Sequence, residues 1–339
     1  MKGLVIAFGE INGRLAAALI SDGKLDDLLI DSDSTAPGAI YRAIADKPIK
    51  GAGGIFLRLP DGERAYLRQA KHVKPGDRLL VQVTSHAEPG KAMPVTPKII
   101  FKSRYAIVTP NAPGLNISKK IKDEEERVRL HEIAHEADLP EGAGLILRSL
   151  CEGASDEDIA MDIAAMADAA SMVLNDTGRD AECLLDAPDA HSRAWAEWPE
   201  PDVLATGDTA FDDHNVYDMI EDLKSARVDL GGAFAFIEPT RALVAVDVNT
   251  GADGSLAAGL KANLALARDL PRQLRMRGLG GQITLDLSPM PKKDRRGFEQ
   301  VLKASFRADT VETVLAGWTP LGHFELQRKR ERHPVAELI

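Results

Sequence analysis

The residues best suited to chemistry in this sequence are two aspartates, each set in an apolar run. In ALVAVDVNTG, residues 242–251, Asp247 interrupts small and β-branched residues just before the turn formers Asn249, Thr250 and Gly251. In QITLDLSPM, residues 282–290, Asp286 does the same. Both runs read as buried strands, where a lone carboxylate is costly unless it is paired, hydrogen-bonded or bound to a metal. Two carboxylates brought together raise one another's pKa unless a cation sits between them. Hard oxygen donors that leave room for several waters suit Mg²⁺. Asn249, two residues beyond Asp247, faces the same side of a continuing strand and is placed to hold a water or a phosphate oxygen. The plainer alternative is that each aspartate caps the turn that follows it.

The elements that must position these residues are legible around them. A helical stretch from about Leu256 to Arg277 and the turn Gly278-Leu279-Gly280-Gly281 separate the two runs, so strand, helix and strand form a βαβ unit with parallel strands. Ligand crevices lie outside the carboxyl ends of such strands, and this brings aspartates 39 positions apart side by side. Residues 1–35 suggest short strands. From Pro37 to about Ile100, runs such as GGIFLRL, ERAYLRQA and DRLLVQVTS alternate with turn formers, the pattern of a small barrel with an OB-fold among the candidates. DEEERVRLHEIAHEA, from Asp123, predicts a surface helix with an acidic first turn. A second helix is expected over about Asp156 to Asn175, and PDAHSRAWAEWPEPD reads as a proline-punctuated connection. Pro271 interrupts the helix between the aspartate strands, where an interior proline costs about 3 kcal/mol.

Composition sets the class. The chain has 339 residues, 44% hydrophobic and 28% charged, with a formal net charge of −10. That charge argues mildly against a nucleic-acid partner, but it is unevenly spread. From Arg241 to Ile339 there are 16 Lys and Arg against 11 Asp and Glu, whereas the preceding 240 residues hold 26 against 41. The piece with the aspartates is the basic piece, which fits a polyanionic ligand there. No run approaches a membrane span or a secretory signal, so a cytoplasmic protein without membrane contact is expected. Cys151 and Cys183 have no zinc-site or disulfide spacing. HEIAH, His131 to His135, matches the H-E-x-x-H pattern of zinc proteases, with Glu132 as base. Flanking Arg129 and Glu136 instead suit a solvated helix, which makes a zinc metalloprotease the remote alternative.

ALVAVDVNTG followed by ANLALARDLPRQLRMRGLGGQITLDLSPM resembles the catalytic core of the ribonuclease E/G family. The resemblance implies a Mg²⁺-dependent endoribonuclease acting on single-stranded RNA, with Asp247 and Asp286 as metal ligands and Asn249 in support. It extends upstream. GGIFLRLPDGERAYL resembles the family's OB insert, with its two aromatic positions on Phe56 and Tyr66, and Lys91 matches a lysine lining the RNA channel. SRYAIVTPNAPGLNISKKIKDEEERVRL and LPEGAGLILRS resemble the segment that senses the RNA 5′ end, placing 5′-phosphate ligands at Arg148 and Ser149, while Lys119 and Lys120 suit either RNA contact or a charged helix start. The implied architecture is α+β and multidomain. An RNase H-like piece spans 1–36 and 188–222, an OB insert 37–102, a sensor region 103–187 and a pancreatic-DNase-like α/β catalytic domain 223–339. The sequence departs from the family pattern in three places. Pro289 replaces a further aspartate, the basic partner of the 5′ pocket falls near acidic Glu312, and the cysteines of a zinc-linked dimer are absent, so no such dimer is expected. A non-catalytic RNA-binding relative is the alternative. The basic run Lys292, Lys293, Arg295 and Arg296 suits either phosphate steering or a charged helix start.

Overall fold

Three short strands, Leu4–Ile11, Arg14–Ser21 and Lys24–Ile30, form an antiparallel meander, and Val203–Ala205 adds a parallel edge strand against the first. A computed structural model describes residues 3–47, 53–70, 72–88 and 90–339. The chain divides into two units, one of Met1–Asp33 with Pro201–Ile339 and the other of Ser34–Glu200. Mixed α and β structure fills both.

In the first unit, a six-stranded sheet holds the strands Arg227–Asp229, Phe234–Pro239, Val244–Asn249, Gly281–Asp286, Phe324–Arg328 and Thr313–Trp318, in that spatial order. Val244–Asn249 and Gly281–Asp286 are its one parallel pair among the described strands. The helix between them, Leu256–Met276, starts at Ser255, whose hydroxyl accepts from the Ala258 amide at 3.2 Å. It ends at Gly278, whose φ of +66° and close approach to the His333 carbonyl leave no room for a Cβ. The helix runs through Pro271, which is buried. Leu270 and Leu274, fully buried on either side, each contribute roughly 1.5–3 kcal/mol, enough to offset the proline.

That helix and Arg295–Ala308 cover one face of the sheet only, and the core there is built from Val244, Val246, Val248, Ile283 and Leu285 against Leu266, Leu270, Phe298 and Leu302. The two aspartate strands are therefore not buried on both faces, as their apolar runs suggest. Alternate residues point away from the helices, and Asp247 and Asp286 are exposed.

In the second unit, Ile40–Ala45, Gly54–Arg58, Arg64–Arg68, Met93–Thr96 and Arg78–Val83 close into a five-stranded OB-like barrel, because the last strand pairs back onto the first. A second sheet of Gly114–Ile117, Gly144–Leu147, Ala106–Thr109 and Phe101–Lys102 packs with the helices Glu124–Glu136 and Asp156–Leu174. Their caps are Asp123 and Ser155, whose side chains accept from the Glu126 amide at 2.9 Å and the Asp158 amide at 3.1 Å. PDAHSRAWAEWPEPD is not a plain connection. Asp189 accepts from the Ser192 amide at 2.7 Å and starts the helix Ala190–Glu197, which buries Ala190 and Ala194. Among the described residues, no helix is long and apolar enough to cross a membrane.

Candidate active site

Parallel pairing sets Asp247 directly opposite Asp286. Directly opposed residues share one face, so both carboxylates project from the side of the sheet away from the helices. The Asn249 side-chain amide donates to Asp247 Oδ2 at 2.8 Å, which fixes that carboxylate. His323, in the turn leading into Phe324–Arg328, lies with Nδ1 3.3 Å from Asp286 Oδ1. Sequence reasoning missed this histidine, because a hairpin with no motif of its own brings it there.

The register is held from beneath. Asn263 is fully buried on the long helix. Its amide donates to the Ser288 carbonyl at 2.8 Å and its oxygen accepts from the Ser288 amide at 3.1 Å. Ser288 Oγ in turn donates to the Val248 carbonyl at 2.6 Å. One hydroxyl thus ties the loop after Asp286 to the strand of Asp247. A Cβ at Gly259 would stand 2.0 Å from the Pro289 carbonyl. Gly259 therefore lets the loop lie against the helix, and Pro289 belongs to that packing.

The donors fit a hard cation. Neither Asp247 nor Asp286 forms an ion pair with lysine or arginine among the described residues. No group of three His, Cys, Asp or Glu able to hold a metal occurs among the described residues either. Two carboxylates on an open face are oxygen donors suited to a divalent cation that keeps water ligands, whereas structural zinc takes four protein ligands. Lys292, Lys293 and Arg296 are exposed at the start of Arg295–Ala308. Arg295 instead stacks on Trp318, its Cζ 4.2 Å from the ring centroid.

In the second unit, Phe56 and Tyr66 are cross-strand partners with ring centroids 5.3 Å apart. Ile55, Leu57, Ala65 and Leu67 fill the barrel core, and the two aromatics lie outside it, with Arg64 over Phe56 at 4.4 Å. Lys91 pairs with Glu88 at 2.7 Å, and Lys119 and Lys120 are exposed. Arg148 is committed to the chain itself, its Nη1 donating to the carbonyls of Ser103, Arg104 at 3.0 Å and Ala196 at 2.7 Å. Burial lowers its pKa. Ser149 opens the 3₁₀ turn that follows. His131, Glu132 and His135 are exposed on their helix.

Residues 101–206 and 200–331 match the sequence profile of the Ribonuclease E/G family. The chain belongs to the ribonuclease E/G family. It is 28% identical to a Ribonuclease E of Nostoc sp. over 383 residues, covering 95% of this chain and 55% of that protein. It is 29% identical to a Ribonuclease G of Salmonella typhimurium over 389 residues, covering 95% of this chain and 79% of that one. The chain thus spans about half the length of the ribonuclease E relative. Within this ribonuclease E/G member, the aspartate strands fall inside the matched residues.

Proposed function

We propose that this chain is an endoribonuclease that cuts single-stranded RNA in the cytoplasm, with Mg²⁺ held by Asp247 and Asp286. The observation that carries this reading is the opposed register of the two aspartates on an open sheet face, with Asn249 bonded to the first. Asn249 keeps Asp247 in one orientation, and His323 borders Asp286 on its far side. When bound, the cation supplies Lewis-acid activation of the phosphoryl group and of the attacking water. Exposed Lys292, Lys293 and Arg296 draw the polyanion toward the strand ends. Phe56 and Tyr66 stack bases, each for roughly 1–3 kcal/mol, and Lys91, Lys119 and Lys120 follow the backbone. Arg148 and Ser149 stand for the 5′-phosphate contact, a weak one because the guanidinium already serves three carbonyls. In finer terms, the meander with its edge strand is the RNase H-like piece, and the six-stranded sheet with its helices is the DNase-like domain. No zinc-linked dimer is part of this reading.

Incubation of the purified protein with a labelled unstructured RNA, with and without Mg²⁺, tests it. Mg²⁺-dependent internal cleavage by the wild type, lost in Asp286→Asn, is the expected result. RNA binding without cleavage would instead identify a non-catalytic relative.

A further inference from the structure

The open face that carries the carboxylates also carries two aromatic rings. On the neighbouring strand Phe234–Pro239, Phe236 lies directly opposite Asp247 and Phe234 opposite Asn249. Directly opposed residues have their Cβ atoms about 5 Å apart on the same face. Ala235 and Ile237, between and beyond the two rings, are buried in the core under the sheet, and the phenylalanines are half-buried outside it. The rings meet edge to face, centroids 5.6 Å apart at 83°. Arg227, the cross-strand partner of Phe236, sits with Cζ 4.6 Å from the Phe234 centroid.

Core packing does not explain this placement. Strand alternation puts an alanine toward the helices and two large rings toward the site, which leaves apolar area uncovered beside charged carboxylates. Aromatic faces next to a polyanion site serve bases, since every base has a π-face and arginine adds a cation–π contribution. Arg227 already caps Phe234, so Phe236 is the ring left for a ligand, with Phe234 buttressing its edge. We propose that Phe236 is the stacking platform for an unpaired RNA base adjoining the phosphate held at Asp247 and Asp286, and so helps to choose which bond is cut. This rests on the nuclease reading above.

A cycle of protein and RNA changes tests it. Cleavage positions are mapped on an intact RNA, and single abasic nucleotides are then placed at successive positions around the bond. At one position adjoining the bond, the wild type should lose about tenfold in kcat/KM on the abasic RNA, the scale of one base–aromatic stack. Phe236→Leu should lose about as much on intact RNA, and no more when both changes are combined. Losses that multiply, or a Leu variant that cuts intact RNA at the wild-type rate, overturn the proposal. Phe236→Trp covers a Leu variant that fails to fold. Its larger ring should deepen the abasic penalty, and an equal or smaller penalty counts against stacking. If the wild type cuts no RNA, the nuclease reading fails. The same cycle, read as equilibrium RNA affinity, then decides the stacking by itself.

Discussion

Asp247 and Asp286 are exposed and carry no packing role, so their loss should separate chemistry from stability. Asp247→Asn and Asp286→Asn should each remove Mg²⁺-dependent cleavage while the melting temperature stays near that of wild type. Retained activity in either variant would remove the metal assignment. Arg148 presents the opposite case. Its guanidinium satisfies three backbone carbonyls, and buried acceptors left without a donor cost about 1–3 kcal/mol each. Arg148→Ala should therefore lower the urea midpoint clearly. Since the side chain is already engaged, 5′-monophosphorylated RNA should be cut no more than about tenfold faster than 5′-hydroxyl RNA, a difference of roughly 1.4 kcal/mol. A much larger preference, abolished by Arg148→Ala, would show that the guanidinium leaves its carbonyls for the phosphate.

Among the elements, the join between the barrel strand Ile40–Ala45 and the end of the helix Asp156–Leu174 is ionic. Arg42, almost fully buried, donates to Asp176 Oδ2 at 2.5 Å and pairs with Glu182, and Gly178 leaves the space its guanidinium needs. The Arg42 hydrogen bond holds the Asp176 carboxyl below its ordinary value of 3.8. A carboxylate with a depressed folded pKa binds fewer protons folded than unfolded. Its stabilisation is therefore complete above the unfolded value and is lost as pH falls through the folded one. Wild type and Asp176→Asn should differ most near neutral pH and converge in chemical denaturation below about pH 3.8. A constant gap across that range would deny the pair its role.

Elements with local signals were legible in the sequence. The stretch from Leu256 read as the long helix, Asp123 with its acidic run announced another, and the two aspartate strands implied their own parallel pairing. What the sequence hid depends on tertiary surroundings. The helix Ala190–Glu197 is short and its proline flanks suggest a loop. His323 reaches Asp286 only through hairpin pairing. The runs around Asp247 and Asp286 look fully buried because apolar content does not say how many faces are covered. The alternation in AFAFIE did carry the signal for Phe234 and Phe236, since period two places both on one face.

Across the first unit, a buried ion network joins parts remote in sequence. Asp309, with no exposed side-chain surface, pairs with Arg328 at 2.6 Å and with Arg275 on the long helix. Arg275 also reaches Asp26 at 3.3 Å and Asp27 at 3.4 Å on the third meander strand, and Arg332 pairs with Asp27. Removing one partner from such a network strands a buried charge, at a cost of about 3–5 kcal/mol. Asp309→Ala should lower the unfolding free energy read from urea denaturation by that scale, whereas a change under about 1 kcal/mol would mean that water enters and replaces the carboxylate.

The meander has a consequence for how the protein is made. Its inner apolar face, with Val5, Ala7, Ile20 and Leu28, is covered by Phe211, Val216, Ile220, Met276 and Val335. All of these covering residues follow the whole of the second unit in the chain. At a synthesis rate of about 5–20 residues per second, roughly 15–60 s pass between the emergence of Leu28 and of Val335. For that interval the meander strands have no lid, while the barrel and its neighbouring helices already have every residue they need. The ribosome therefore presents the second unit with all of its own residues while the meander still waits for its cover, and in that interval the meander strands are a segment for a chaperone to shield.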